Sequence, residues 1–336
     1  MGWFSNLIDT VKGSSSVDFL LVPDLDLPSL PEEPAFARDS AYVELYVDSL
    51  RLDKSRKFAT RFHGLVYSFV TLARQGDGNA EFAAVSKPDK IAELDEDSLG
   101  RVITVNKQMM GAVPWRGGDL QLQLGLFSIK TGNLLSPVID FVTRVSETAG
   151  VSFIGAVKPF VPLITEGMDM IAGQTDDSRL QVGMDTSLKL EGKKSSAFAI
   201  IATDKTNMDR SKITVDPNDS KLLYDGQPMQ ETYCVFSLRS AARKADWGEI
   251  PEIKEAFATL SSAVRSGKQN DASEALTVFR RTVIFSQDLI PSDAKLLVQK
   301  ADEMMEYAFG GGGISASSDL KANIPATLAD MNIYGD

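Results

Sequence analysis

Residues 119–130 read Asp-Leu-Gln-Leu-Gln-Leu-Gly-Leu-Phe-Ser-Ile-Lys, and the alternation in this stretch decides the fold class. Leu120, Leu122, Leu124 and Leu126 fall at every second position, with Gln121, Gln123 and Gly125 between them. A period of two sends successive side chains to opposite faces of a strand, so these leucines share one face. Downstream, Leu180, Val182, Met184, Leu188 and Leu190 repeat the pattern against Gln181, Asp185 and Lys189. Strands with one apolar and one polar face belong to antiparallel sheets.

Between the two ladders the alternation stops. Ser136 and Pro137 supply an N-cap and a first helical residue, and Val138, Ile139, Val142 and Val145 form an apolar stripe. Gly150 closes that helix, and a second, broken one runs over residues 152–171 before Gly173. The spacing predicts a helical hairpin inserted at 134–173, capping an open end of a sandwich. Further strands are read at 42–52, 62–72, 101–105, 221–224 and 232–238. The near-continuous apolar run from Ala197 to Ala202 predicts a strand covered on both sides.

After Arg239 the period changes from two to that of a helix. Residues 252–264, 272–285 and 293–309 each show helical spacing, with Asp271 and Ser292 as N-caps and Gly267 as a stop. The fold class is therefore α+β: an antiparallel β-sandwich with an inserted helical hairpin, followed by a C-terminal three-helix segment. The expected organisation is an amphipathic helix at 1–12, a Pro/Ser-rich arm at 13–40, the sandwich body at 41–240, a helical subdomain at 241–309 and a flexible tail at 310–336. The tail is set off by the glycines Gly310 to Gly313.

Composition limits the chemistry. Lysine and arginine number 35 against 46 acids, a net charge of −11, the wrong sign for wrapping a phosphate backbone. No nucleic-acid partner is expected. His63 is the only histidine and Cys234 the only cysteine, so zinc motifs that need two histidines or a cysteine cluster cannot form, nor can an intrachain disulfide. The pairs Gly192-Lys193 and Gly267-Lys268 lack the upstream glycine and the following Ser or Thr of a phosphate loop. No cofactor is expected. The longest apolar stretch, 151–165, carries Lys158, Pro159 and Pro162 and is too short to span a bilayer. With no signal-peptide pattern at the start, the expectation is a cytoplasmic protein.

Asp204, Asn207 and Asp209 follow the buried strand and offer hard oxygen ligands, a candidate calcium site. Acids gathered in the loops of a sandwich are similar to the arrangement of C2-type lipid-binding domains, although no motif specific to that family is present. Partner-binding candidates are Trp3, Phe4, Leu7 and Ile8 on the N-terminal helix, and Trp115 with Arg116 on a loop before the leucine ladder. The leading functional expectation is a non-enzymatic cytoplasmic interaction or scaffold protein that acts through its helical insertion and terminal segments. Its partners would be other proteins or a second copy of itself. The alternatives are a peripheral lipid binder, although membrane contact is not favoured by the nearly neutral helix, and a hydrolase that works without metal or histidine.

Overall fold

The computed structural model describes every residue except 1, 15–16, 29, 31, 53–61, 75–77, 87–101, 131–139, 142, 146–149, 174–177, 205–207, 311–323 and 336. Helix α1 (Trp3–Ser14) opens the chain, followed by strands β1 (Asp18–Leu25), β2 (Tyr42–Arg51), β3 (Phe62–Ala73), β4 (Asn79–Ser86), β5 (Val102–Pro114) and β6 (Asp119–Lys130). The inserted region contributes α2 (Ile154–Val157) and α3 (Val161–Ala172), with residues 140–141 and 143–145 also helical. Then come β7 (Ser178–Lys189), β8 (Ser196–Thr203), β9 (Ile213–Val215), β10 (Leu222–Tyr224), β11 (Gln227–Pro228) and β12 (Tyr233–Ala241). Helices α4 (Pro251–Ser266), α5 (Gln269–Phe285) and α6 (Pro291–Phe309) complete the set.

All strand pairs are antiparallel, as the one-sided ladders predict. A five-stranded sheet in the order β1-β8-β12-β2-β5 faces a four-stranded sheet in the order β4-β3-β6-β7. The two leucine ladders are neighbours, with Leu120 opposite Leu188, Leu124 opposite Met184 and Leu126 opposite Val182. On the other side of β6, Leu126 and Leu122 oppose Val66 and Val70 of β3, so one face of the four-stranded sheet is continuous hydrocarbon. That face joins Phe198, Ile200, Phe236 and Leu238 of the five-stranded sheet in one core. The Phe198 and Phe236 rings stack at 5.1 Å.

Each sheet is also covered on its far side. The small sheet β11-β10-β9 shields the outer face of the five-stranded sheet, where Ala197, Ala199, Ile201, Tyr233 and Val235 meet Ile213, Val215 and Leu222. This cover explains why β8 lacks alternation: both of its faces are dry. The outer face of the four-stranded sheet is covered by α1, α2 and α3, which contact β4 and β7. The described helices of the insertion therefore lie flat on a sheet instead of capping an open end, while residues 134–139, with the expected N-cap at Ser136 and Pro137, lie outside the described residues. The inserted helices approach closely, since any Cβ at Gly167 would lie within 2.7 Å of the Phe141 ring.

Three segmental expectations change. The arm at 13–40 contains β1, which pairs with β8 from Asp18↔Thr203 to Leu25↔Ala197. Pro23 is accommodated because the ladder is irregular between Val22 and Leu25 and Asp24 takes a positive φ of 55°, the edge-strand bulge where proline is tolerated. Leu25, Leu27 and Phe36 are buried, so this segment belongs to the core. The tail is likewise docked over 324–335, with Ile324, Leu328, Met331 and Ile333 buried against α4, α5 and α6. Ser261 Oγ donates to the Pro325 carbonyl at 2.9 Å and Arg265 to the Ile324 carbonyl at 3.0 Å. The third change concerns strand length. β5 extends from Val102 to Pro114, well past the 101–105 expected, and β4 was not foreseen.

Candidate functional site

The β5–β6 hairpin turns at Arg116, Gly117 and Gly118, and both glycines sit in the left-handed region at φ near 80°. This turn buries Trp115 instead of displaying it. The indole packs edge-on against Phe36 at 6.1 Å and its Nε1 donates to Glu191 at 3.2 Å. Arg116 donates to Asp39 at 2.9 Å and to the Leu289 carbonyl at 2.7 Å, which ties the sandwich to the connector between α5 and α6. The expected hot-spot pair is thus a structural joint.

Behind that joint runs a buried polar seam. The Tyr42 hydroxyl accepts from the Ile290 N–H at 3.2 Å and donates to Asp293 Oδ2 at 2.6 Å. Tyr334, from the returning tail, donates to the same oxygen at 2.6 Å and accepts from the Lys244 N–H at 3.0 Å. Lys244 is fully buried, donates through Nζ to the carbonyls of Ala112 (2.5 Å) and Ser152 (3.1 Å), and lies 3.5 Å from Asp246. Burial lowers its pKa against the opposing pull of Asp246, Asp288 and Glu44. Asp288 accepts from the Ile154 N–H at 3.0 Å, and burial pushes its carboxyl up to about 6. Tyr42 and Tyr334 are both raised, each first by burial and then by Asp293. Nearly every donor and acceptor here is spent within the protein, so the seam holds the helical unit on the sandwich.

Just outside the seam the surface opens into a groove of about 380 Å³. Ile284, Leu289, Pro291, Ala294 and Val298 line it, with Ser286, Arg116 and Lys295 as its polar members. Its walls are the end of α5 and the beginning of α6, held antiparallel by the short connector and by the Arg280–Asp302 ion pair at 2.6 Å. Ile284 and its neighbour Phe285 bring exposed hydrocarbon to its α5 wall, whereas Tyr307 stands at the other end of α6. Among the described residues five large apolar side chains are exposed, and four of them are on these two helices: Val278 (58%), Ile284 (56%), Phe285 (71%) and Tyr307 (51%). Globular monomers scatter such residues singly, whereas a cluster beside a concavity marks a binding surface.

The sites expected from sequence fare differently. Phe4 and Ile8 are buried against the outer face of the four-stranded sheet, and Trp3 and Leu7 are half-buried beside them. Phe4 meets Tyr67 at 5.3 Å and Phe127 at 6.4 Å, over a strand where Gly125 leaves room for the ring. The helix is therefore committed to its own body, because its apolar stripe finds an apolar sheet face within reach. Of the calcium candidates, Asp204 is exposed and Asn207 lies outside the described residues. Asp209 accepts from the Ser211 N–H at 3.0 Å and its hydroxyl at 2.7 Å, capping a 3-10 turn, and these bonds lower its pKa. Among the described residues no three acids, histidines or cysteines gather to hold a metal. Cys234 and His63 lie in different sheets, and burial raises the thiol. No helix among the described residues is long and apolar enough to cross a membrane.

Sequence reasoning passed over the groove because Ile284 and Phe285 close an otherwise regular amphipathic pattern. The readable signal was the adjacent pair Ile284-Phe285 together with Val278, apolar positions outside the stripe formed by Ala272, Leu276, Phe279 and Val283. Comparison of the chain with protein-family models, curated proteins and solved structures finds no match.

Proposed function

We propose that this is a non-enzymatic, cytoplasmic protein-interaction protein whose contact surface is the groove and exposed face of α5 and α6. The observation that carries the reading is the exposure of Ile284 and Phe285, with Val278 about two turns before them on α5, beside a concave apolar surface. Leaving these side chains more than half exposed forgoes about 1–2 kcal/mol each of burial energy, which an interface recovers. The sandwich acts as a rigid base, and the seam fixes the helical pair on it. The helical insertion and terminal helix, read from sequence as contact segments, serve here as cover for the sheet.

The test is crosslinking and affinity capture with the intact chain and with the double substitution Ile284→Ser, Phe285→Ser. Both positions are exposed, so the fold is expected to persist, as circular dichroism will verify. The reading predicts a defined set of proteins recovered by the native chain and lost from the variant. Identical recoveries from both would refute it.

A further inference from the structure

We propose that the groove on α5 and α6 takes an amphipathic helix of a partner protein whose apolar stripe is flanked by acidic residues at the end that meets Lys295 and Arg281. This inference rests on the protein-interaction reading above and specifies its partner.

The first argument is shape. On α5 the exposed residues Glu274, Val278, Arg281 and Phe285 are spaced four, three and four apart, so they form one stripe along the helix. The stripe covers about three turns, roughly 16 Å. Ile284 joins it to the groove, where Val298 and Ala294 of α6 form the opposite wall. Two antiparallel helices with an apolar furrow between them present ridges that a third helix can fill, reading out as anchors at i, i+3, i+4 and i+7.

The second argument is charge. The chain as a whole carries −11, yet the groove's own lining contains Arg116 and Lys295 and no acid. Two acids reach that lining from outside it: Asp39 pairs with Arg116, and Glu252 accepts from Ser286 at 3.4 Å. Lys295 and Arg281, which stands one turn before Phe285, have no ion pair among the described residues. Towards the other end of the helical pair Asp271, Asp302 and Glu303 are paired with Lys268, Arg280 and Lys300, and the acids without an ion pair among the described residues are Glu274 on α5 and Glu306 on α6. The charge left unpaired on the two helices is thus cationic at the groove end and acidic at the other. A partner helix is held in one direction, because turning it end for end sets like charges together.

The experiment uses the full chain and a labelled helical peptide of about 16 residues, with leucines at i, i+3, i+4 and i+7 and glutamates beside them at one end. A second peptide has lysine in place of each glutamate. Anisotropy titration is expected to show saturable binding of the acidic peptide, weakened about tenfold by Phe285→Ser and by the pair Arg281→Glu, Lys295→Glu. The lysine peptide is expected to bind weakly to the native chain and to gain affinity for the charge-reversed variant.

Equal binding of both peptides, each abolished by Phe285→Ser, would overturn the charge assignment and leave the groove as the contact surface. If neither peptide binds while Phe285→Ser still removes captured proteins, the partner chemistry is wrong and the broader reading survives. Flotation of the native chain with phosphatidylserine vesicles, lost on Phe285→Ser, would assign the surface to lipid. Concentration-dependent dimerisation lost on the same substitution would assign it to a second copy. Either result overturns the proposal.

Discussion

Asp288 shows how one buried carboxyl makes stability depend on pH. Its pKa is raised to about 6 chiefly by burial, while the Ile154 N–H and Lys244 oppose that rise. The native state therefore prefers the protonated form. Its contribution is fully present below about pH 4 and is lost as pH rises through about 6. Asp288→Asn keeps an oxygen for the Ile154 N–H and has no proton to lose. Relative to the native chain, the variant should gain up to about 3 kcal/mol between pH 4 and pH 7. Urea midpoints measured across that range check the expectation, and parallel curves for the two proteins would contradict it. Residues of this kind are opaque to sequence reading. Lys244, Asp288 and Asp293 look like ordinary surface charges until the fold brings Tyr42 and Tyr334, 292 positions apart in the chain, onto one carboxylate oxygen.

At the scale of elements, α1 is a test of how a terminal helix is held. Phe4 is fully buried and touches Tyr67 and Phe127, so Phe4→Ala should cost about 3–5 kcal/mol. It should also speed amide exchange on the outer face of β6 and β7 while leaving β12 protected. Uniform exchange, or a loss under 1 kcal/mol, would place the helix outside the cooperative core. Elements were legible wherever their pattern was local. The leucine ladders needed only a period of two, and α4 to α6 only a period near 3.6 with Gly267 as a stop. β4 was missed because Ala80, Ala83 and Ala84 carry too little hydrocarbon to announce a strand. β5 looked short because Asn106-Lys107-Gln108 interrupts it. The interruption is an irregular ladder with β2, where Asn106 adopts a positive φ of 43°. β1 was hidden by Pro23 and the docked tail by its sparse apolar residues, since both find their partners only in three dimensions.

For the molecule as a whole, the seam decides whether sandwich and helical unit unfold as one body. Lys244→Met leaves the Ala112 and Ser152 carbonyls without their ammonium donor and Asp246 without its counter-charge. A loss of about 3 kcal/mol is expected. Calorimetry should show one transition for the native chain and a split into two for the variant, with near-native circular dichroism at low temperature. A single unshifted transition would mean that the joint at Arg116 suffices alone. The strand order β1-β8-β12-β2-β5 adds a demand on synthesis. β1 leaves the ribosome early, but its hydrogen-bonding partner Ser196–Thr203 follows about 170 residues later, an interval of roughly 10–35 s at ordinary translation rates. Throughout that interval Leu21, Val22 and Leu25 stand open on a nascent chain. Chaperone occupancy during translation should therefore begin soon after β1 emerges and end only once β8 is free to pair.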